Sequence, residues 1–237
     1  MSSSSTSPAF ASQPVERAHA NDRVFYSGMA IALAVVVFAG FARTYYVPLF
    51  SGGPTLTIAG LPFTTLVHVH AALFTAWVAL FIAQTALVAN RRVALHRKLG
   101  IAGAVLAGAM VVAGFAIRIW EFHALRGPSV PLTPPVLVFG MFDMIMFAVF
   151  VSTAIVLRRN SEAHKRLMLL AYVCILTAAV ARVPGVPNRY AYFAFSLLPL
   201  FAGVAYDIFS RRRVHKVYLW GGTLFAVMFG AMTFASV

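Results

Sequence analysis

Seven apolar runs constrain this chain more than any other feature of it. Each is near the roughly 20 residues that a helix needs to cross a hydrocarbon core. They fall at about 24–47, 66–90, 98–120, 136–157, 164–182, 190–209 and 217–236. Pro48, Pro54 and Pro62 break the first connection, Pro128, Pro131, Pro134 and Pro135 the third, and Pro184 and Pro187 the fifth. The expected fold is therefore an all-α membrane protein, a bundle of seven transmembrane helices. Residues 1–22 hold few large apolar groups and read as a flexible tail, leaving 23–237 as one seven-helix domain. A secretory signal opens with a basic segment, and here the first Arg is Arg17.

Composition supports the same class. Of 237 residues, 61% are hydrophobic and only 11% charged, too little polar surface to cover a water-soluble core of this size. A net charge of +13 would suit nucleic acid, but the basic residues lie in short clusters between apolar runs. That is a topology signal, and no nucleic-acid partner is expected. Cys174 is the one cysteine, which excludes a disulfide framework and a cysteine metal site.

Fourteen Lys and Arg residues lie in the N-terminal segment and the second, fourth and sixth connections, against five (Arg43, Arg118, Arg126, Arg182, Arg189) at the other side. This asymmetry places the N-terminus in the cytoplasm and the C-terminus outside. The basic connections are expected to meet anionic lipid headgroups. They also form a weak repeat, with His96, His164 and His215 spaced by 68 and then 51 residues.

Polar residues near the outer ends of the spans are the candidate site. Arg43, His68, His70, Arg118, His123 and Arg182 fall at that depth, and Asp143 lies roughly 10 Å inside its span at ~1.5 Å per residue. Helical walks back from Arg43 (Ala39, Val36, Ala32, Gly28), Arg118 (Gly114, Val111, Ala107, Gly103) and Arg182 (Ala178, Ile175, Ala171) run along small residues. Small residues mark faces where membrane helices approach one another. His68 and His70 point about 200° apart on a helix. His68 heads an alanine-rich stripe and reads as the interior residue, while His70 heads Phe74, Trp77 and Phe81. An unpaired Asp143 would be costly, so it is expected to be protonated or paired, with Arg43, Arg118 or Arg182 as partner. Asp207 and Arg211, four residues apart, read as a structural pair. Glu121 stands beside the outer group.

The run from His68-Val-His70 through Gln84 and Arg92 to His96-Arg97-Lys98-Leu99-Gly100, with His164-Lys165-Arg166-Leu167-Met168 later, resembles uncharacterised bacterial multi-spanning membrane proteins that carry a His-Arg-x-Leu-Gly turn. The resemblance covers about residues 64–184 and implies a bacterial inner membrane. More distantly, the chain resembles the transmembrane cytochromes b. That second resemblance implies a haem b held by His68 or His70 with His123, or alternatively by His96 with His164, its propionates met by Arg43, Arg118 or Arg182.

Three functions follow as expectations. The first is a redox protein binding haem b or a quinone. The second is a binding or transport protein for an anionic or lipid-like ligand, with Asp143 as counter-charge. The third is a structural subunit of a larger membrane complex. A retinal protein is excluded because the last run has no lysine for a Schiff base.

Overall fold

The computed structural model describes the backbone of residues 9–53, 56–57, 59–127 and 134–235, and side chains within 21–53, 56–57, 59–127 and 141–234. Helix accounts for 85% and no strand occurs among the described residues, so the class is all-α. Helix α1 (Ala9–Phe41) continues through a π-turn (Ala42–Tyr46) into the short α2 (Val47–Ser51), and the rod stops at Gly52 with φ +68°. Then come α3 (Thr65–Ala89), α4 (Val93–Arg126), α5 (Pro134–Val156), α6 (Ser161–Val180) and α7 (Arg189–Arg211). A second π-turn (Tyr218–Gly222) leads into α8 (Thr223–Ala235).

Local chemistry sets several of these boundaries. The Asn160 side chain accepts from the Ala163 N–H at 3.1 Å and starts α6. Asn188 accepts from Ala191 at 3.0 Å and starts α7. Both are N-caps that satisfy an otherwise orphaned donor. Arg212 closes α7 in the left-handed conformation at φ +56°.

Two boundaries differ from the sequence expectation. Residues 9–22, expected within a flexible tail, form the first turns of α1, and residues 1–8 lie outside the described part. Helix α4 runs Val93–Arg126 where an apolar run of 98–120 was expected. Hydropathy marks only the apolar middle of a helix, whereas Arg and Lys at its ends are good helix formers and carry their charge to water.

Five helical stretches are long and apolar enough to cross a membrane: Asn21–Ser51, Thr65–Ala89, Val93–Arg126, Ser161–Val180 and Arg189–Arg211. In α5 and α8 the apolar stretches with described side chains are the shorter Met141–Val156 and Tyr218–Phe234. Large apolar side chains face outward along the rods, including Phe50, Ile101, Val105, Val112, Phe209 and Trp220. A water-soluble protein rarely leaves that much apolar surface uncovered.

Helix α6 is the centre of the bundle. It packs against α1, α5 and α7, and 78% of its apolar window is buried, against 17–33% for the other four long stretches. Leu170 to Cys174 are fully buried without interruption. Gly40 lets α1 cross α6 so closely that a Cβ there would meet the Ala179 carbonyl oxygen.

The ends of the bundle are chemically distinct. Asp22 of α1 contacts Lys165 and Arg211, His96 meets His164, and the His215 N–H donates to Asp207. These contacts bring Asp22, in the N-terminal half of α1, and all three basic turns to one end.

Candidate functional site

At the opposite end, α1, the first π-turn, α3, α4, α5 and α6 line a partly open cavity of about 170 Å³. Its polar lining includes Thr44, Tyr45, Tyr46, His70, Thr75, Arg118, Glu121, Asp143 and Arg182, set among Val37, Phe41, Phe63, Phe74 and Met144. Each wall has a local cause. Gly114 brings α4 against α5, where a Cβ would collide with the Met144 side chain. The Tyr46 hydroxyl and Thr75 Oγ1 are 2.7 Å apart and tie the π-turn to α3. A π-turn holds one residue more per turn than an α-helix. Here both Tyr45 and Tyr46 reach the lining.

Among the described residues four ionisable side chains of strong acid or base type line the cavity, two acids and two arginines. Arg118 sits at the rim, its side chain 46% exposed, and donates to Glu121 at 3.2 Å. Arg182 bends back so that its Nη1 donates to the Ala178 carbonyl at 2.6 Å. Its guanidinium lies 4.8 Å from the Phe41 ring centroid, a cation–π distance. Asp143 accepts from Thr177 Oγ1 at 2.9 Å. Among the described residues neither Arg182 nor Asp143 has an oppositely charged group within 4.0 Å. Two further lining atoms, Thr44 Oγ1 and His70 Nδ1, are buried with no hydrogen-bond partner. Buried polar atoms are normally satisfied, so the cavity presents an unmet set of donors and acceptors.

The structure thus brings together His70, Arg118, Asp143 and Arg182 of the expected site and leaves three residues out. Arg43 is exposed on the π-turn and lines nothing in the cavity. His68 lies behind the wall, its Nδ1 3.1 Å from the Tyr45 hydroxyl and its ring edge-on to Phe63. The interior position expected for His68 therefore belongs to His70. His123 sits in the last turn of α4, with Nδ1 3.5 Å from the Gly127 carbonyl. The expected arginine partner of Asp143 is replaced by the Thr177 hydroxyl, which sequence reasoning missed. Thr177 is five residues before Arg182 and off the walk that was followed.

Of the expected haem ligands only His70 lines the cavity. His68 and His123 make unrelated contacts, and neither lines the cavity. A volume near 170 Å³ is close to the roughly 150 Å³ that holds a benzene molecule, well below a porphyrin. His96 and His164 do meet, ring centroids 6.3 Å apart and planes at 86°. His164 Nδ1 faces the Ala154 carbonyl at 2.9 Å. The Gln84 amide, oriented with its nitrogen toward His96, donates to His96 Nδ1 at 2.6 Å and accepts from the Gly100 N–H at 3.1 Å. These bonds tie α3 to α4 and α5 to α6, and the ring contact joins the two turns. No cluster of three or more metal-ligating side chains occurs among the described residues.

The other end of the bundle holds an ion cluster. Arg166 and Asp207 form a fork-on-fork pair with both side chains fully buried, Nε donating to Oδ2 at 2.9 Å and Nη2 to Oδ1. Glu162 binds Arg166 at 2.8 Å and Lys165 at 2.6 Å. Asp22 receives Lys165, Arg211 and the Tyr206 hydroxyl, each at 2.7 Å. Three acids balance three bases across α1, α6 and α7. Lys165 and Arg166, expected to face lipid headgroups, are committed to this cluster, and Arg211 stands 3.8 Å from Asp207 as the expected structural pair. The contact between α6 and α7 was not visible in the sequence. Burial and the Arg166 guanidinium hold the His215 imidazole, in the turn beside the cluster, below its ordinary value of 6.5.

The fold and site together define an all-helical protein of membrane type with a partly open cavity at one end, mostly apolar but carrying charged side chains. Comparison with known protein families, curated proteins and solved structures finds no match to this chain.

Proposed function

We propose that this chain is a seven-helix protein of a bacterial inner membrane that binds a small carboxylate-bearing ligand in the Arg118/Arg182 cavity. Its N-terminus is cytoplasmic and its C-terminus outside, so the cavity lies toward the outer face. The fourteen-to-five division of Lys and Arg supports that orientation. Arg91, Arg92, Arg158, Arg159, Arg212 and Arg213 are exposed at the basic end, where anionic headgroups would meet them.

One observation carries the ligand reading. Arg182 lines the cavity while its guanidinium has no carboxylate partner among the described residues. A planar guanidinium offers parallel N–H groups matched to a carboxylate, and Arg182 is only partly exposed. The test is equilibrium dialysis of the purified protein with radiolabelled acetate, butyrate, alanine and valine. At least one should bind, and Arg182→Gln should weaken it about tenfold or more, the ~1.4 kcal/mol expected at the low end for a charge-assisted bond. If none of the four binds, or if Arg182→Gln binds them unchanged, the reading fails.

A further inference from the structure

The cavity's charges specify more than an anion. Among the described residues it holds two arginines and two acids, and Glu121 already serves Arg118. A ligand bearing only a carboxylate would satisfy Arg182. Asp143 would keep Thr177 as its partner and gain none from the ligand. A carboxyl left so, protonated or charged, is costly where the dielectric is low.

Both groups open onto the same cavity. Arg182 folds back to the Ala178 carbonyl, and Asp143 is fixed by Thr177, the preceding residue of α6. The guanidinium and carboxylate are thus anchored at successive residues of α6 without closing to 4.0 Å. What fits between them is a ligand with a carboxylate and a cationic donor a few bonds apart. His70 Nδ1 and Thr44 Oγ1, buried and unpartnered in the same lining, add hydrogen-bonding capacity for such a donor. The volume suits about six to eight non-hydrogen atoms, judged against benzene in a cavity of ~150 Å³. The remaining wall, with Val37, Phe63, Phe74 and Met144, is apolar.

We propose that the cavity binds a small zwitterion of the α-amino-acid type, its carboxylate on Arg182, its ammonium on Asp143, and a short apolar side chain against the aromatic wall. This rests on the cavity being a carboxylate site and adds the second charge.

The experiment compares matched probes on the full-length protein by isothermal titration: alanine with propionate, and valine with isovalerate. The zwitterion of at least one pair should bind tenfold or more tightly than its deaminated partner. Asp143→Asn should erase that preference while leaving the carboxylate's own affinity within about twofold. If the deaminated acids bind as tightly as the amino acids, or if Asp143→Asn keeps the preference, the zwitterion is overturned and the carboxylate site stands. If no probe binds and Arg182→Gln changes nothing, both readings fall together. The wild-type preference decides the matter even where the Asp143 variant does not fold.

Discussion

Replacing Asp207 by Asn would remove one charge from a pair that has no access to water. Asp207 and Arg166 are each fully buried, and the carboxylate takes two guanidinium donors and the His215 N–H. Breaking a buried ion pair by deleting one partner costs about 3–5 kcal/mol, because the other charge stays behind. Here Glu162 still reaches Arg166 at 2.8 Å, and the Asn oxygen can keep one hydrogen bond. The expected loss is therefore at the low end, about 3 kcal/mol, or on the order of 100-fold in the folding equilibrium. Unfolding in mixed micelles with rising SDS, followed by circular dichroism, measures it. The double substitution Arg166→Met with Asp207→Leu removes both charges and should be more stable than either single variant, since apolar replacement of a buried pair is often neutral. A single variant within 1 kcal/mol of wild type would refute the reasoning. So would a double variant as unstable as the sum of the singles.

Three further outcomes follow. Gly40→Ala drives a methyl group into the backbone carbonyl of Ala179, which cannot turn aside as a side chain could; a loss of about 2 kcal/mol or more in the same assay is expected. His215 is depressed by burial first and by Arg166 second, opposed by Asp207 and Glu162, with Arg211 adding to the depression. The unfolded chain then binds the proton first, so stability should fall as pH drops below about 6.5, and His215→Asn should flatten that slope; an unchanged slope would remove His215 from the account. For topology, cysteines placed singly at Gly127 and Arg159 should differ toward an impermeant maleimide on intact cells. The first should react and the second only after lysis, and the reverse pattern would invert the orientation.

Much of the bundle was legible because lipid-facing helices are written in hydropathy. Each apolar run corresponds to a helix, and the basic clusters mark turns that do gather at one end. The cavity was partly legible through the small-residue walks. On α4 the walk back from Arg118 crosses Gly114, Ala107 and Gly103, all buried. From Arg182 it crosses Ile175 and Ala171, also buried. The same argument fails at Arg43, because Ala39, Ala32 and Gly28 are exposed and α1 turns Ala30, Leu33, Ala34 and Gly40 inward instead. Small size permits close approach without requiring it. The π-turn at Ala42–Tyr46 then shifts the phase of everything beyond it, which no fixed helical period foresees. The Asp143–Thr177 bond and the Arg166–Asp207 pair join residues 34 and 41 positions apart. Such pairings depend on which helices become neighbours.

The enclosure of α6 has a consequence for how its sequence is constrained. A helix surrounded by its own chain has little lipid to satisfy, and Ser161–Val180 has the lowest mean hydropathy of the five long stretches, 1.5. Its neighbours, rather than the bilayer, decide which side chains it tolerates. Substitutions to other apolar residues that would pass unnoticed on the outward face of α4 should be selected against along α6 by volume alone. A library of apolar-for-apolar exchanges would therefore outline this helix as a vertical stripe of intolerance from Arg166 to Val180.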